Sequence, residues 1–464
     1  MTPTQQRPDG SRLGLSVAFA AITVGVIYGY DTSNIGAALL FIAKDFRLDT
    51  AEMGLVTTVA IIGEIGGALG GGALANRIGR KRSMVLVAAT FAVFSLLSGL
   101  AWSLPALAVS RLLLGVTIGV SIVVAPVFIA ESSVASIRGR LLVFYQVATV
   151  IGIILGYLVA LALSATESWR WILGVAAVPS VLITVVLCRL PDTPRWYVMK
   201  GRVSEAREVL IGIGSAGPSS DVESELAEIQ AALSEERGGA VREMFRRPYL
   251  RAAIFVVGLG FFVQITGINA IVNYSPLIFK AMGFQGNFLL LGLPALIQVL
   301  GLISVLTSAM LVERLGRRPV LLTGIATMVV ANALLVWVFA GTTNVAGTTA
   351  VLGFVGVLLI NVGFTFGFGA LVWVYAGESF PARLRSLGAS AMLTSDLVAN
   401  AIVVYYFLDL LEKFGGAVAF AVFGVLGLAA FVFVFVFAPE TKGRPLEDIR
   451  HFWENGGRWP TQLR

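Results

Sequence analysis

The sequence predicts an all-α integral membrane protein: twelve transmembrane helices in two pseudo-symmetric six-helix halves, joined by a cytoplasmic helical linker. Three observations carry this. The 464 residues are 57% hydrophobic and only 13% charged, against about 25% charged in a soluble globular protein. Twelve apolar stretches each approach or exceed the roughly 20 residues that a membrane helix needs. And three loop motifs occur twice, in the same order, in the two halves of the chain.

The twelve stretches run near 14–42, 52–75, 83–103, 105–131, 140–164, 170–190, 250–280, 288–312, 319–340, 349–378, 386–411 and 415–438. They give a cytoplasmic N-terminus over 1–13, a six-helix half over 14–190, a linker over 191–249, a second half over 250–438 and a C-terminal tail over 439–464. The N-terminal residues "MTPTQQRPDGSRLG" show no cleavage pattern, so the first span is expected to stay as a helix. With both termini inside, 28 of the 34 basic residues fall on the cytoplasmic side and five on the outer side. That asymmetry sets the topology. It also accounts for the net charge of +7 without a nucleic-acid partner. One cysteine, Cys188, excludes an internal disulfide, and one histidine, His451, excludes a histidine-rich metal site. In the linker, Val222, Leu226, Ile229 and Leu233 recur at helical spacing, giving an amphipathic helix. The polar run "GSAGPSSD" before it leaves a disordered linker as the alternative.

The repeats place chemistry in the loops. "ANRIGRKR" (75–82) follows the second span and "VERLGRRP" (312–319) the eighth. "FIAESSVASIRGR" (128–140) follows the fourth and "YAGESFPARLRSL" (375–387) the tenth, each with an acid seven residues before an arginine. "LPDTPRW" (190–196) closes the first half, and "APETKGR" (438–444) closes the second. Gly79 and Gly316 permit tight turns between neighbouring helices. Arg77, Arg80, Arg314 and Arg317 bring fixed positive charge, which Glu131 and Glu378 can meet, as can Arg138 and Arg385. Either these residues form a charge network or the arginines only enforce topology.

Polar residues at membrane depth are the second set. Tyr28, Asp31 and Asn34 are three apart and share a helix face. Gly25 and Gly29, four apart, suit close helix packing. A buried carboxylate needs a partner or a proton, and Arg111 is the only basic residue deep enough to pair with Asp31. Glu64 and Asp396 are further acids at depth, Asp396 one turn before Asn400. Glu64 suits a structural or a functional role alike.

Together "GYD", "NRIGRKR", "ERLGRRP", "RLLLGVTIG" (111–119), "PVFIAESSVASIRG" (126–139), "PDTPRW", "QITGIN" (264–269) and "PETKGRPLEDI" (439–449) resemble the sugar porter family of the major facilitator superfamily over essentially the whole chain. The resemblance implies the major facilitator fold and a transporter, not an enzyme. It implies proton-coupled uptake of a monosaccharide at the cell membrane by a monomer, with no cofactor beyond the proton gradient. A facilitative sugar uniporter, a polyol carrier and a sugar sensor are the alternatives. The resemblance implies that Asp31, with Arg111, handles the proton. It implies that the loop arginines and acids latch the two halves.

For the substrate, the matching positions are Gln146, Gln264, Asn269, Asn273 and Asn400, with Tyr28, Trp373 and Asp396 as further candidates. Amides both donate and accept, as sugar hydroxyls do, and Trp373 can stack on a sugar ring. Gln264 sits about 140° from Asn269 on a regular helix, so it joins the others only if the helix is irregular near Gly267. The chain departs from the family at Asn76, Ile153, Ala176, Val263, Asp396 and Leu397. The sixth-span acid is thus missing, and an acid stands at Asp396 where an amide is usual. Asp396 either shares the proton or selects a substrate with more donors or a positive group.

Overall fold

The computed structural model describes residues 10–133, 135–213, 219–235, 243–246, 248–341, 347–444 and 446–459. Among them, long apolar helices dominate, because lipid offers backbone groups no partners and a helix satisfies its own. The first five spans are Gly10–Phe46, Thr50–Ile78, Arg80–Gly99, Leu104–Glu131 and Ala135–Leu163. The sixth is two pieces, Trp169–Gly174 and Ala177–Cys188. The seventh is Leu250–Ile265 and Ile268–Ala281; the eighth and ninth are Asn287–Leu315 and Arg317–Ala340. The tenth breaks at Gly367 into Thr348–Phe366 and Phe368–Glu378.

The eleventh and twelfth spans form one run, Ala382–Phe437, of 56 residues. A straight helix of that length would measure about 84 Å, far beyond the roughly 30 Å hydrocarbon core. Gly415 resolves this. Its φ of 80° and ψ of 166° are non-helical and divide the run into two spans, where the sequence separates 386–411 from 415–438. The chain is a multi-pass membrane protein. Large side chains such as Leu69, Met310 and Val425 stand exposed on it, a surface that lipid covers.

The chain divides into two compact units. The first comprises 1–31, 62–156 and 169–237. Its core joins Val24, Met84, Val124, Phe128 and Leu141 from the first, third, fourth and fifth spans. Glycines bring backbones together here. A Cβ on Gly29 would lie 1.8 Å from the Thr149 carbonyl oxygen, and one on Gly25 2.9 Å from that of Tyr145. Gly152 returns the contact against Val26. The linker follows in the same unit as helices Pro194–Met199, Val203–Ile213 and Ser219–Glu235. Val222, Leu226, Ile229 and Leu233 turn inward there onto Val198, Ala206 and Leu210. The expected amphipathic stripe therefore has a small core of its own to cover.

The second unit comprises 32–61, 157–168 and 238–464. It takes in the end of the first span, the start of the second and the end of the fifth. Tyr157 donates to the Val272 carbonyl, and a Cβ on Gly36 would lie 1.9 Å from the Asn273 carbonyl oxygen. The Thr50 hydroxyl lies 3.0 Å from Asp409 and 2.6 Å from Glu412. A C-terminal helix, Leu446–Glu454, docks on this unit. Its Trp453 is buried and stacks on Phe255 at 5.3 Å, and Tyr249 donates to Glu454.

Candidate functional site

In the first unit, the first helix carries Asp31 at a wholly buried position and the fourth helix carries Arg111 opposite it. Arg111 Nη1 donates to Asp31 Oδ1 at 2.6 Å, with only 6% of the Asp31 side chain and 2% of the Arg111 side chain exposed. Arg111 Nε finds no hydrogen-bond partner. The pair is thus electrically matched yet leaves a donor unused. Tyr28, one turn before Asp31, and Gln146 on the fifth span are half-buried in the same unit. Glu64 is buried.

In the second unit, the seventh span is irregular at Gly267, the condition under which Gln264 and Asn269 can share a face. Gly267 has φ 95°, which ends one helix at Ile265 and lets the next begin at Ile268. A Cβ there would also lie 2.7 Å from the Phe423 ring. Beyond the break, the Asn273 amide donates back to the Asn269 carbonyl at 2.8 Å. Before it, Gln264 Nε2 donates to Asp396 Oδ2 at 3.3 Å. Asn400, one turn on from Asp396, is buried, and its Oδ1 has no partner; nor does Oε1 of Gln264. Trp373 keeps 43% of its surface exposed. Tyr28, Asp31, Arg111 and Gln146 therefore lie in one unit, and the six other polar and aromatic candidates in its companion.

The loops are more specific than the sequence reading allowed. Asp192 Oδ1 accepts from the backbone N–H groups of Arg80 and Lys81 at 2.9 and 3.2 Å. In the second unit, Glu440 accepts from the N–H groups of Arg317 and Arg318 at 3.0 and 3.1 Å. In each unit an acid from the closing motif therefore caps the helix that follows the glycine turn, offsetting the unpaired donors and the positive dipole there. Gly79 and Gly316, at φ 106° and 98°, make room. A Cβ on either would strike the capping carboxylate, at 2.0 Å from Asp192 Oδ2 and 2.5 Å from Glu440 Oε2. Asp192 and Glu440 were readable only as parts of repeated motifs; their matching places in "PDT" and "PET" were the available signal.

Glu131 meets Arg80 at 3.0 Å, Arg195 at 3.8 Å and the Thr193 hydroxyl at 2.6 Å. The expected counterpart in the second unit does not form. Among the described residues no basic side chain pairs with Glu378, and Nε of Arg385 is unpartnered. Arg317 instead pairs with Glu313, one turn earlier on the eighth span. That acid has no equivalent in the first loop, where Asn76 precedes Arg77. Arg77 and Arg314 stand exposed; the Arg314 carbonyl accepts from Lys442. The side chain of Arg138 lies outside the described residues.

The family model described as "Sugar (and other) transporter" matches residues 17–453. The chain belongs to this sugar transporter family. It is 31% identical over 453 residues to the galactose-proton symporter of Escherichia coli (strain K12), covering 95% of this chain and 96% of that protein. Polyol transporter 5 of Arabidopsis thaliana is 31% identical over 476 residues, covering 97% and 88%. Among solved structures, a partially occluded inward-open conformation of the xylose transporter XylE from E. coli matches with a TM-score of 0.81. That match has 23% identity and covers 94% of this chain and all of that one. The fold is the major facilitator fold, and the chain is a transporter rather than an enzyme.

Proposed function

We propose that the chain imports a monosaccharide, hexose or pentose, together with a proton, by alternating access at the cell membrane. It acts as a monomer with both termini in the cytoplasm and draws on the proton gradient alone. The observation that carries this reading is the buried Asp31–Arg111 pair. Ionisable groups inside a membrane are costly and cluster on transport pathways. Protonation of Asp31 would free Arg111, and deprotonation toward the cytoplasm would restore the pair. The proposed substrate contacts are Tyr28 and Gln146 in the N-terminal half, and Gln264, Asn269, Asn273, Trp373, Asp396 and Asn400 in the C-terminal half. The proposed halves are 14–190 and 250–438, with the linker 191–249 between them. The loop residues Arg77, Arg80, Glu131, Arg138, Arg314, Arg317, Glu378 and Arg385 are assigned to the cytoplasmic gate. The curated relatives support a sugar or a polyol alike. The extra acid at Asp396 favours keeping a polyol as the second reading, because each added hydroxyl is a donor.

Purified protein in liposomes tests this. Uptake of hexoses, pentoses and polyols is measured with and without an inward proton gradient. Accumulation above equilibrium that needs the gradient is expected, and Asp31→Asn should lose it while keeping exchange. Gradient-independent equilibration in the wild type would leave a uniporter.

A further inference from the structure

Asp396 differs from Asp31 in one decisive respect. Asp31 has a permanent counter-charge. Among the described residues no basic side chain pairs with Asp396, and no other titratable side chain of the elements packed around it contributes to its electrostatics. Its partner is the Gln264 amide, at a long 3.3 Å. A carboxylate without a counter-charge in apolar surroundings is costly, and a proton removes that cost. Asp396 is also only half-buried, so a proton can reach it.

Gln264 fits both charge states. An amide is a donor at one end and an acceptor at the other, with nearly equal shapes. In the orientation seen, Nε2 serves the carboxylate and Oε1 is left buried and unpartnered. Turned over, the amide places Oε1 against Asp396, where it accepts from a protonated carboxyl. The reversal also changes what Gln264 offers on its other side, from an acceptor to a donor. Beside the ionised acid Gln264 turns an acceptor, Oε1, to its other side, and Asn400 Oδ1 is a second unpartnered acceptor. Beside the protonated acid Gln264 turns its NH2 donor there instead, next to the Asn400 Oδ1 acceptor, a pair that matches the acceptor and donor of a sugar or polyol hydroxyl.

We infer that Asp396 is a second proton site within the substrate pocket, and that Gln264 reports its charge to the substrate by reversing its amide. The proton passes from cavity water to the Asp396 carboxylate and returns on release; no other group is consumed. This rests on the proposed sugar or polyol transport. Its sign follows from the burial cost: a neutral solute closing over Asp396 binds the protonated form better, so binding weakens as pH rises.

The test uses purified full-length protein, with binding of the transported solute measured from pH 5.5 to 9 in the absence of a gradient. The dissociation constant should rise, approaching about tenfold per pH unit beyond the titration point for one linked proton. Asp31→Asn should keep the rise and Asp31→Asn/Asp396→Asn should lose it. Gln264→Leu, which keeps the acid but not the reversible amide, should flatten it. A rise as large in Asp31→Asn/Asp396→Asn as in Asp31→Asn, or no rise in Asp31→Asn, overturns the inference. Infrared spectra provide a readout that needs no solute. A protonated-carboxyl band that titrates in Asp31→Asn and is missing from Asp31→Asn/Asp396→Asn supports the site. No difference between those two variants overturns it. If no sugar or polyol binds, the transport reading fails while the infrared comparison still decides the proton site.

Discussion

Removing the charge of Asp31 should destabilise the protein far more than removing both charges of the pair. Arg111 and Asp31 are almost wholly buried and meet at 2.6 Å. Asp31→Asn leaves a guanidinium that cannot shed its proton and whose Nε already lacks a partner. Breaking a buried pair from one side costs about 3–5 kcal/mol, or about two to four orders of magnitude in the folding equilibrium at 1.4 kcal/mol per decade. Removing both charges with groups of similar volume is often close to neutral. The assay is the folded fraction of detergent-purified protein after heating, for Asp31→Asn, Arg111→Leu and the double variant. Asp31→Asn should lose the most, equally at acid and neutral pH. Arg111→Leu should lose less in acid, since a lone carboxyl can take up a proton. The double variant should recover most of the loss. A double variant no better than the worse single one would refute the coupling. So would an Asp31→Asn protein as stable as the wild type.

Gly29→Ala would put a methyl 1.8 Å from the Thr149 carbonyl oxygen; the resulting overpacking should cost at least about 1–3 kcal/mol, read as a lower melting temperature. Glu440→Ala should release two capped N–H groups, at about 1 kcal/mol for the lost cap, and Asp192→Ala should do the same in the first unit, measured by hydrogen exchange at Arg80–Lys81 and Arg317–Arg318. Gly316→Ala should cost more than Glu440→Ala, because its φ of 98° is strained for alanine and its Cβ would meet Glu440. Trp453→Ala should cost about 3–5 kcal/mol of packing and make the C-terminal helix accessible to protease.

The spans were legible because a helix in lipid must be long and apolar, and that constraint is written in composition. The break at Gly267 was legible because Gln264 and Asn269 could not share a face without it. Two things were not. The C-terminal helix at 446–454 is too short and polar to stand out, and its stability comes from Trp453 and Phe255, which are distant in sequence. The capping by Asp192 and Glu440 joins residues more than a hundred positions apart. Periodicity reports only neighbours within a helix, so such pairs escape it. The missing ion pair at Glu378 has a similar origin: the motif repeats, but Glu313 occurs in only one copy and pairs with Arg317.

The two copies agree in the loops and differ in the membrane, and the difference has a physical basis. The loop device depends on backbone geometry: a left-handed glycine, a helix start and an acid lying over it. Losing the glycine breaks the turn and losing the carboxylate orphans the N–H groups, so both copies hold a glycine and an acid, Asp192 in one and Glu440 in the other. The membrane acids have no such shared frame. Asp31 faces a fixed guanidinium from the fourth helix, while Asp396 faces a neutral amide across the broken seventh. A guanidinium holds one charge state; an amide accommodates two. A single duplicated scaffold thus carries one acid whose proton must compete with a cation and another whose proton meets no such competition. The second acid should accordingly take up its proton where the solute can sense it.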